Sequence, residues 1–282
     1  MKLVSYRHRG QETFGAVAGQ GVIELGRRLG GRYAGVRALL EAGAVAEARR
    51  AAESAQPDVA LDQIEFLPPV RDPGKLLCVG LNYKTHVAET GRTETEHPSI
   101  FVRFPDSHVG HGQPMVKPRL SDHYDYEGEL AIVIGKPAWR VSPADALAHI
   151  AGYACYNDGS IRDWQRHTTQ WTPGKNFRGS GAFGPWMVTA DEIPDPTRLT
   201  LVCRLNGQEV QRATTDLLIY TIPVIIQYVT SFTPLAPGDV IATGTPGGVG
   251  ARRNPPLWMR KGDTVEVEIS SIGVLRNPIV EE

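Results

Sequence analysis

The 282-residue sequence predicts a β-rich α+β protein. A small N-terminal α+β domain with its linker is expected over residues 1–70. A larger domain built on a mixed β-roll or barrel-like sheet is expected over 71–282. Three observations predict this. Short β-branched runs bounded by turn residues outnumber segments with helical period. Strands and helices do not alternate regularly, as a doubly wound parallel sheet requires. Thirty glycines and 21 prolines supply far more turns than a helical bundle needs.

The elements follow in order. "KLVSYRH" (2–8), "TFGAVAG" (13–19) and "GVIELG" (21–26) read as short strands separated by glycine turns. "GVRALLEAGAVAEARRAAESA" (35–55) reads as one or two short helices with Gly43 as the weak point. "AQPDVALDQIEFLPPVRDPG" (55–74) is extended and proline-bearing, the expected linker, with the boundary near 70. Further strands are expected in "KLLCVGLN", "ELAIVIG", "HIAGYACYND", "LTLVCRLNGQEV", "DVIATG" and "DTVEVEISSIGVL". Asn206-Gly207 signals a two-residue hairpin, because both turn positions need positive φ. "TTDLLIYTIPVIIQYVTS" (214–231) has the apolar density of a helix interrupted at Pro223.

Composition excludes several function classes. Hydrophobic residues make up 41%, charged residues 22%, and the net charge is −1, so no basic face calls for nucleic acid or an anionic membrane. The apolar runs are too short to span a bilayer, and "MKLVSYRHRG" has no signal-peptide core. Cys78, Cys155 and Cys203 are isolated and form no CxxC motif, which points to reduced thiols in a cytoplasmic protein.

Three stretches carry candidate chemistry. In "DYEGELAIVIGK" (125–136), Glu127 and Glu129 alternate onto one strand face, about 7 Å apart at Cα by strand rise. They read either as a solvent-facing strand end or as a cation site. Asp158, closing the apolar run of "GYACYNDGSIRDWQ", supplies a third ligand, with Asp163 five residues on. Carboxylates without histidine or cysteine make a hard oxygen site for Mg²⁺, Mn²⁺ or Ca²⁺. Lys175, in a glycine-rich loop, reads either as a solvated lysine or as a cation for an anionic substrate. In "GLNYKTHVAETG" (80–91), Asn82 caps a short helix, Gly91 ends it, and His86 and Glu89 share a face. That pair is either an ordinary surface couple or a general base steadied by a carboxylate. "DVIATGTPGGVG" (239–250) is neither a Walker loop nor a dinucleotide fingerprint. Its clustered backbone N–H groups, Gly244 among them, and the Thr245 hydroxyl suit a carboxylate, unless the segment is only a tight turn.

Five blocks, "CVGLNYKTHVAETG", "DYEGELAIVIGK", "GYACYNDGSIRDWQ", "GKNFRGSGAFGPW" and "PGDVIATGTPGGVG", stand in the order and spacing of one family. Over roughly residues 70–282 the chain resembles the fumarylacetoacetate hydrolase family, in its shorter microbial acylpyruvate hydrolase-like branch. The resemblance implies that family's mixed β-roll, with Glu127, Glu129 and Asp158 holding Mg²⁺ or Mn²⁺, or Ca²⁺ in a crystal. It implies a water-activating His86–Glu89 dyad on a lid, and Lys175 as the active-site lysine that stabilises the developing oxyanion. Thr245 falls near the substrate carboxylate, Gln165 faces the substrate, and Arg162 and Arg103 contact a distal acid group. The implied activity is hydrolytic C–C cleavage of a 1,3-dicarbonyl 2-oxo acid of acylpyruvate or fumarylpyruvate type, through an enolate held on the cation. Decarboxylation of an oxaloacetate-type β-keto acid, or isomerisation of unsaturated 2-oxo diacids in aromatic catabolism, is the alternative on the same scaffold. A homodimer acting on a small 2-oxo acid is expected from the same resemblance.

Overall fold

The computed structural model describes residues 1–282 and holds three sheets. The main path of the large twelve-stranded sheet runs from Val59–Ala60 through Gly21–Glu24, Gln11–Ala18, Lys2–His8, Gly181–Thr189, Ile150–Asn157 and Gly128–Ile134. It continues through Val240–Ala242 and Leu76–Gly80 to Ser99–Val102. A five-stranded sheet orders Gln208–Thr214, Thr200–Leu205, Thr264–Ile269, Gly273–Glu281 and Met115–Lys117. Tyr124–Asp125 and Ser160–Ile161 form a two-stranded ribbon. Both larger sheets mix parallel and antiparallel pairs, and neither closes into a barrel.

The Gly128–Ile134 strand shows why the sheets stack as they do. Leu130, Ile132 and Ile134 enter one core cluster together with Leu201, Val265 and Val267 of the five-stranded sheet. Ala131 and Val133 enter the other, with Leu3, Phe14 and Leu39. Both faces are covered, so the strand reads as a continuous apolar run rather than an alternating one. Each fully buried Leu, Ile or Val contributes about 1.5–3 kcal/mol, enough to offset acidic residues placed at the strand's mouth.

The N-terminal unit is not a bead on a string. Lys2–His8 pairs antiparallel with Gly181–Thr189, in the register Lys2↔Val188 and Leu3↔Met187, so the two regions share a sheet and a core. The stretch read as a linker contributes Val59–Ala60 and Glu65–Leu67, which pair with Gly21–Glu24 and Lys2–His8. The next strand starts at Leu76.

Local expectations fare variously. Helices Val36–Glu41 and Val45–Glu53 flank Gly43 at φ 62°. Asn206 and Gly207 have φ 53° and 78°, the hairpin turn expected. Pro223 does not interrupt a helix: it sits in the first turn of Ile222–Phe232, where its missing N–H costs nothing. "DTVEVEISSIGVL" folds as two paired strands turning through Ser271 at φ 64°. No helix is long and apolar enough to cross a membrane, and all three cysteines are buried and free.

Candidate metal centre and active site

The acidic residues converge because two strand ends are tied together. Gly128 pairs with Asn157 in the sheet. Beyond that pair, Asp158 N–H donates to the Glu127 carbonyl at 2.9 Å, and Glu127 N–H donates to Asn157 Oδ1 at 3.1 Å. Gly159 permits the close approach that follows, since a Cβ there would stand 1.9 Å from the Ser180 carbonyl. The result is a buried cluster of Glu127, Glu129 and Asp158 whose ligand oxygens lie within 4.8 Å of one another. They line a cavity of about 400 Å³.

Three cations surround this cluster. Lys175, 1% exposed, places Nζ 2.7 Å from Glu127 Oε2 and 2.6 Å from Asp158 Oδ2. Arg103 Nη1 donates to Asp158 Oδ1 at 2.5 Å. Arg162 Nη2 stands 2.6 Å from Glu127 Oε1, an ion pair off the hydrogen-bond axis, and its Nε donates to Asp125 Oδ2 at 2.8 Å. Glu129 instead receives only the Gly244 N–H, at 2.8 Å. Burial pushes the Glu127 carboxyl up, but Arg162 and Lys175, aided by His86, outweigh it and hold that group well below the usual carboxylate range. Burial, then Asp158 and Glu127, push Glu129 well above that range.

This arrangement passes the test for a divalent ion. With Asp125 included, four carboxylates face three cations, so one negative charge lacks a counter-charge, and its energetic burden falls on Glu129. The donors are hard oxygens suited to Mg²⁺, Mn²⁺ or Ca²⁺. Each carboxylate oxygen has two lone pairs, so the Lys175 contacts leave coordination capacity on Glu127 and Asp158.

The second constellation is the helix Lys84–Thr90, ended by Gly91 at φ 70°. Buried His86 lines the cavity, and its Nδ1 lies 2.7 Å from Glu89 Oε1. Asn82 does not cap this helix. Its amide donates to the Tyr220 and Thr243 carbonyls at 3.0 and 2.7 Å and accepts Tyr220 N–H at 2.7 Å, pinning the preceding loop to two distant segments.

The glycine-rich loop after Val240–Ala242 does bind carboxylates, but they are the protein's own. Gly244 N–H holds Glu129, Gly248 N–H holds Glu89 Oε2 at 2.7 Å, and Gly250 and Ala251 N–H hold Asp125 at 2.7 and 3.0 Å. One loop therefore orients the acidic cluster, the histidine's carboxylate and the partner of Arg162 at once.

Several expected contacts are rearranged. Lys175 lies among the carboxylates rather than across from them, because their charge is the strongest attraction available to a buried ammonium. Arg103 does not line the cavity; it is consumed behind Asp158, with Ser180 Oγ 2.9 Å from its Nη2. Arg162 does line it, but its guanidinium is committed to Asp125, Glu127 and the Gln165 Oε1 at 3.0 Å, so neither arginine is free for a distal acid. That last bond turns the Gln165 NH₂ into the donor left for a ligand. Thr245 lines the cavity, but its hydroxyl donates to the Gly128 carbonyl at 2.9 Å and accepts from Gln211, leaving no proton for a substrate carboxylate. Asp163 accepts from Ser121 and stands outside the cluster. Sequence reasoning passed over Asp125, although it begins the quoted "DYEGEL". It also passed over Trp171, which packs so tightly on the backbone that a Cβ at Gly80 would meet its ring at 2.2 Å.

Comparison with known proteins places these features in context. Residues 75–280 match the family model described as fumarylacetoacetate (FAA) hydrolase C-terminal. The human mitochondrial oxaloacetate tautomerase FAHD2A is 42% identical over 235 residues, 83% of this chain and 75% of that protein. Fumarylacetoacetate hydrolase from psychrophilic Exiguobacterium antarcticum superposes with a TM-score of 0.85 at 31% identity, covering 100% of both chains. Maleylpyruvate hydrolase from Sphingobium sp. SYK-6, solved with manganese(II) and pyruvate, superposes at 0.84 with 27% identity over 100% of this chain and 99% of that one.

Proposed function

The chain belongs to the fumarylacetoacetate hydrolase family, and on that premise we propose a divalent-metal-dependent enzyme that moves a proton at the carbon between the two carbonyls of a 2-oxo acid. Keto–enol tautomerisation of oxaloacetate is the reading favoured by the 42% identical human relative. The observation that carries it is the cavity lined by both His86 and the Glu127, Glu129 and Asp158 cluster. Mg²⁺ or Mn²⁺ held by those three carboxylates would polarise the 2-oxo carbonyl and so acidify the neighbouring C–H.

The remaining work falls to side chains. Glu89 accepts the His86 Nδ1 proton, which leaves Nε2 as the basic nitrogen. Nε2 takes a proton from the carbon, and the resulting imidazolium, stabilised by Glu89, returns it to the carbonyl oxygen, giving the enol with no change in composition. The Gln165 NH₂ offers a neutral donor to the substrate. Trp171 and Phe101, in edge contact, form the apolar side of the chamber.

Hydrolytic C–C cleavage, the activity first expected, is the second reading. The same His86–Glu89 pair would take its proton from water, whose oxygen would add to the distal carbonyl before the C–C bond breaks and the departing carbon leaves as the enol of pyruvate. The likeness to a maleylpyruvate hydrolase with manganese and pyruvate favours it. Decarboxylation of oxaloacetate would follow the same electron flow with CO₂ as the departing group. A cytoplasmic location stays part of the proposal, supported by three buried free thiols.

Enol absorbance separates the readings. Oxaloacetate enol given to Mn²⁺-loaded protein should decay faster than the buffer rate without release of pyruvate or CO₂, and chelation should abolish the effect. Pyruvate released from acylpyruvates instead would establish hydrolysis. Enol decay unaffected by chelator would end the metal-dependent reading.

A further inference from the structure

We propose that Arg253, which does not line the cavity, is a positioning residue for the His86–Glu89 pair and acts through the backbone of Gly248; this rests on the base assigned to that pair above. Arg253 is half-buried, and its hydrogen bonds all go to neutral oxygens. Nε donates to the Tyr126 hydroxyl at 3.0 Å and to the Gly248 carbonyl at 3.2 Å. Nη2 donates to the Val210 carbonyl at 2.6 Å. The buried Tyr126 hydroxyl in turn donates to the same Gly248 carbonyl at 3.1 Å. A planar guanidinium can hold two carbonyls at a fixed separation, which the point charge of a lysine cannot. Arg253 thus ties Gly248 of the glycine-rich loop to Val210 in the edge strand Gln208–Thr214.

Gly248 needs such a tie. Its φ is 103°, and a Cβ there would stand 2.3 Å from the Val210 carbonyl, so only glycine fits. Glycine also has the widest choice of backbone conformations, so nothing within the residue holds this one. The bonds from Arg253 and Tyr126 fix its carbonyl side. Its N–H side faces the helix Lys84–Thr90. Gly248 N–H donates to Glu89 Oε2 at 2.7 Å, and Gly247 N–H donates to Thr85 Oγ1 at 3.1 Å. Thr85 and Glu89 are four apart and share a helix face, so the loop grips the helix along one side. With Oε2 gripped, Oε1 stays 2.7 Å from His86 Nδ1. The series Arg253, Gly248, Glu89, His86 therefore refers the geometry of the base back to the five-stranded sheet. Loss of the Arg253 fork leaves Glu89 charged but free to turn away from Nδ1.

A double-mutant cycle on the Mn²⁺-loaded full chain tests this, with oxaloacetate enol or an acylpyruvate as the probe, whichever the wild type turns over. Arg253→Lys keeps the positive charge and loses the fork. Its kcat should fall roughly ten- to hundredfold, the cost of a misplaced catalytic group, while KM and the Mn²⁺ dissociation constant stay within about threefold of wild type. Tyr126→Phe removes one donor to Gly248 and keeps the ring, so kcat should fall in the same sense by roughly three- to tenfold. Arg253→Lys/Glu89→Gln should turn over within about twofold of Glu89→Gln alone, because the pair that Arg253 positions is already broken. A loss of folded protein would instead multiply through both backgrounds. An Arg253→Lys kcat within about twofold of wild type, the full loss repeated in the Glu89→Gln background, or a fall in Mn²⁺ affinity as large as the fall in kcat would each overturn the assignment. Failure of the wild type to turn over either probe, or a Glu89→Gln protein as fast as wild type, would instead sink the base reading beneath it, so the two failures are distinct.

Discussion

Replacing Glu89 by Gln isolates the base from everything around it. In the protein, Glu89 uses Oε1 to accept from His86 Nδ1 at 2.7 Å and Oε2 to accept from Gly248 N–H at 2.7 Å. A glutamine keeps the Gly248 bond through its carbonyl oxygen, which turns its NH₂ towards Nδ1. Two N–H groups cannot face each other, so the imidazole proton moves to Nε2, the nitrogen that must be free to accept. The imidazolium also loses a charge-assisted bond worth about 1.5–3 kcal/mol, or roughly ten- to hundredfold in rate. Together the loss should be about 10²- to 10⁴-fold in kcat, the range of a general base removed. Stopped-flow measurement of enol decay at saturating Mn²⁺ reads it directly. KM and Mn²⁺ affinity should stay within roughly threefold of wild type, because Glu89 lines neither the cavity nor the acidic cluster. Turnover within about twofold of wild type would refute the assignment of the base.

Other expectations follow from the same geometry. Because burial and then Asp158 and Glu127 raise the Glu129 carboxyl, this group keeps its proton in the folded metal-free protein and has lost it in the unfolded chain at any pH between the ordinary value of 4.5 and the raised one. Its contribution to stability should therefore fall as pH rises through that window, by up to about 1.4 kcal/mol per unit. The depressed Glu127 contributes stability that is lost only on acidification below 4.5, outside the window. Burial lowers His108 and His111, which pull the other way below their ordinary value of 6.5, so the Glu129 share is read as the difference between metal-free wild type and Glu129→Gln. Thermal scans between about pH 5 and 8 should show that difference falling without metal, and Mn²⁺ should suppress the fall. A difference that climbs across the range would contradict the charge accounting. Gly159→Ala must move either Asp158 or the Ser180 carbonyl, which a Cβ would approach to 1.9 Å. We expect about 1–3 kcal/mol of destabilisation and at least roughly tenfold weaker Mn²⁺ binding, read by calorimetric titration; an unchanged Mn²⁺ affinity would show that the cluster tolerates a wider strand end. Asn82→Ala strips partners from Tyr220 N–H and the Tyr220 and Thr243 carbonyls. Urea denaturation should report a loss of about 2–4 kcal/mol, and a loss below about 1 kcal/mol would mean the loop is anchored elsewhere.

How much of this was readable beforehand depends on the kind of interaction. Glu127 and Glu129 announce a shared face because a strand alternates every two residues, and His86 with Glu89 because a helix brings i and i+3 together. Those periodicities are local, and the structure keeps both. The strand Gly181–Thr189 was hidden by its own composition, since Pro185 argues against a central strand. It is tolerated because pairing with Ile150–Asn157 shifts between Tyr153 and Cys155, next to the proline's neighbour Gly184. Hydrogen-bond partners were the least legible feature. That the glycine-rich loop would favour carboxylates follows from clustered N–H groups, but that those acids would be Glu129, Glu89 and Asp125 depends on packing between segments more than a hundred residues apart. Which arginine is neutralised was invisible for a related reason. "RDWQR" holds two arginines four apart, and the positions of Asp125 and Glu127 decide that Arg162 is the one paired.

The seam between Lys2–His8 and Gly181–Thr189 has a practical corollary. A shortened polypeptide limited to the family-matching stretch would strip Met187 and Val188 of their neighbours and lay bare a ribbon margin flanked by Phe183 and the greasy patch that Leu3 and Phe14 now cover. Such margins recruit copies of themselves, so that fragment should clump rather than stay dispersed. The leading segment thus acts as a hem stitched onto the catalytic fabric, and exchanging it for another would require a replacement thread of the same direction and alignment.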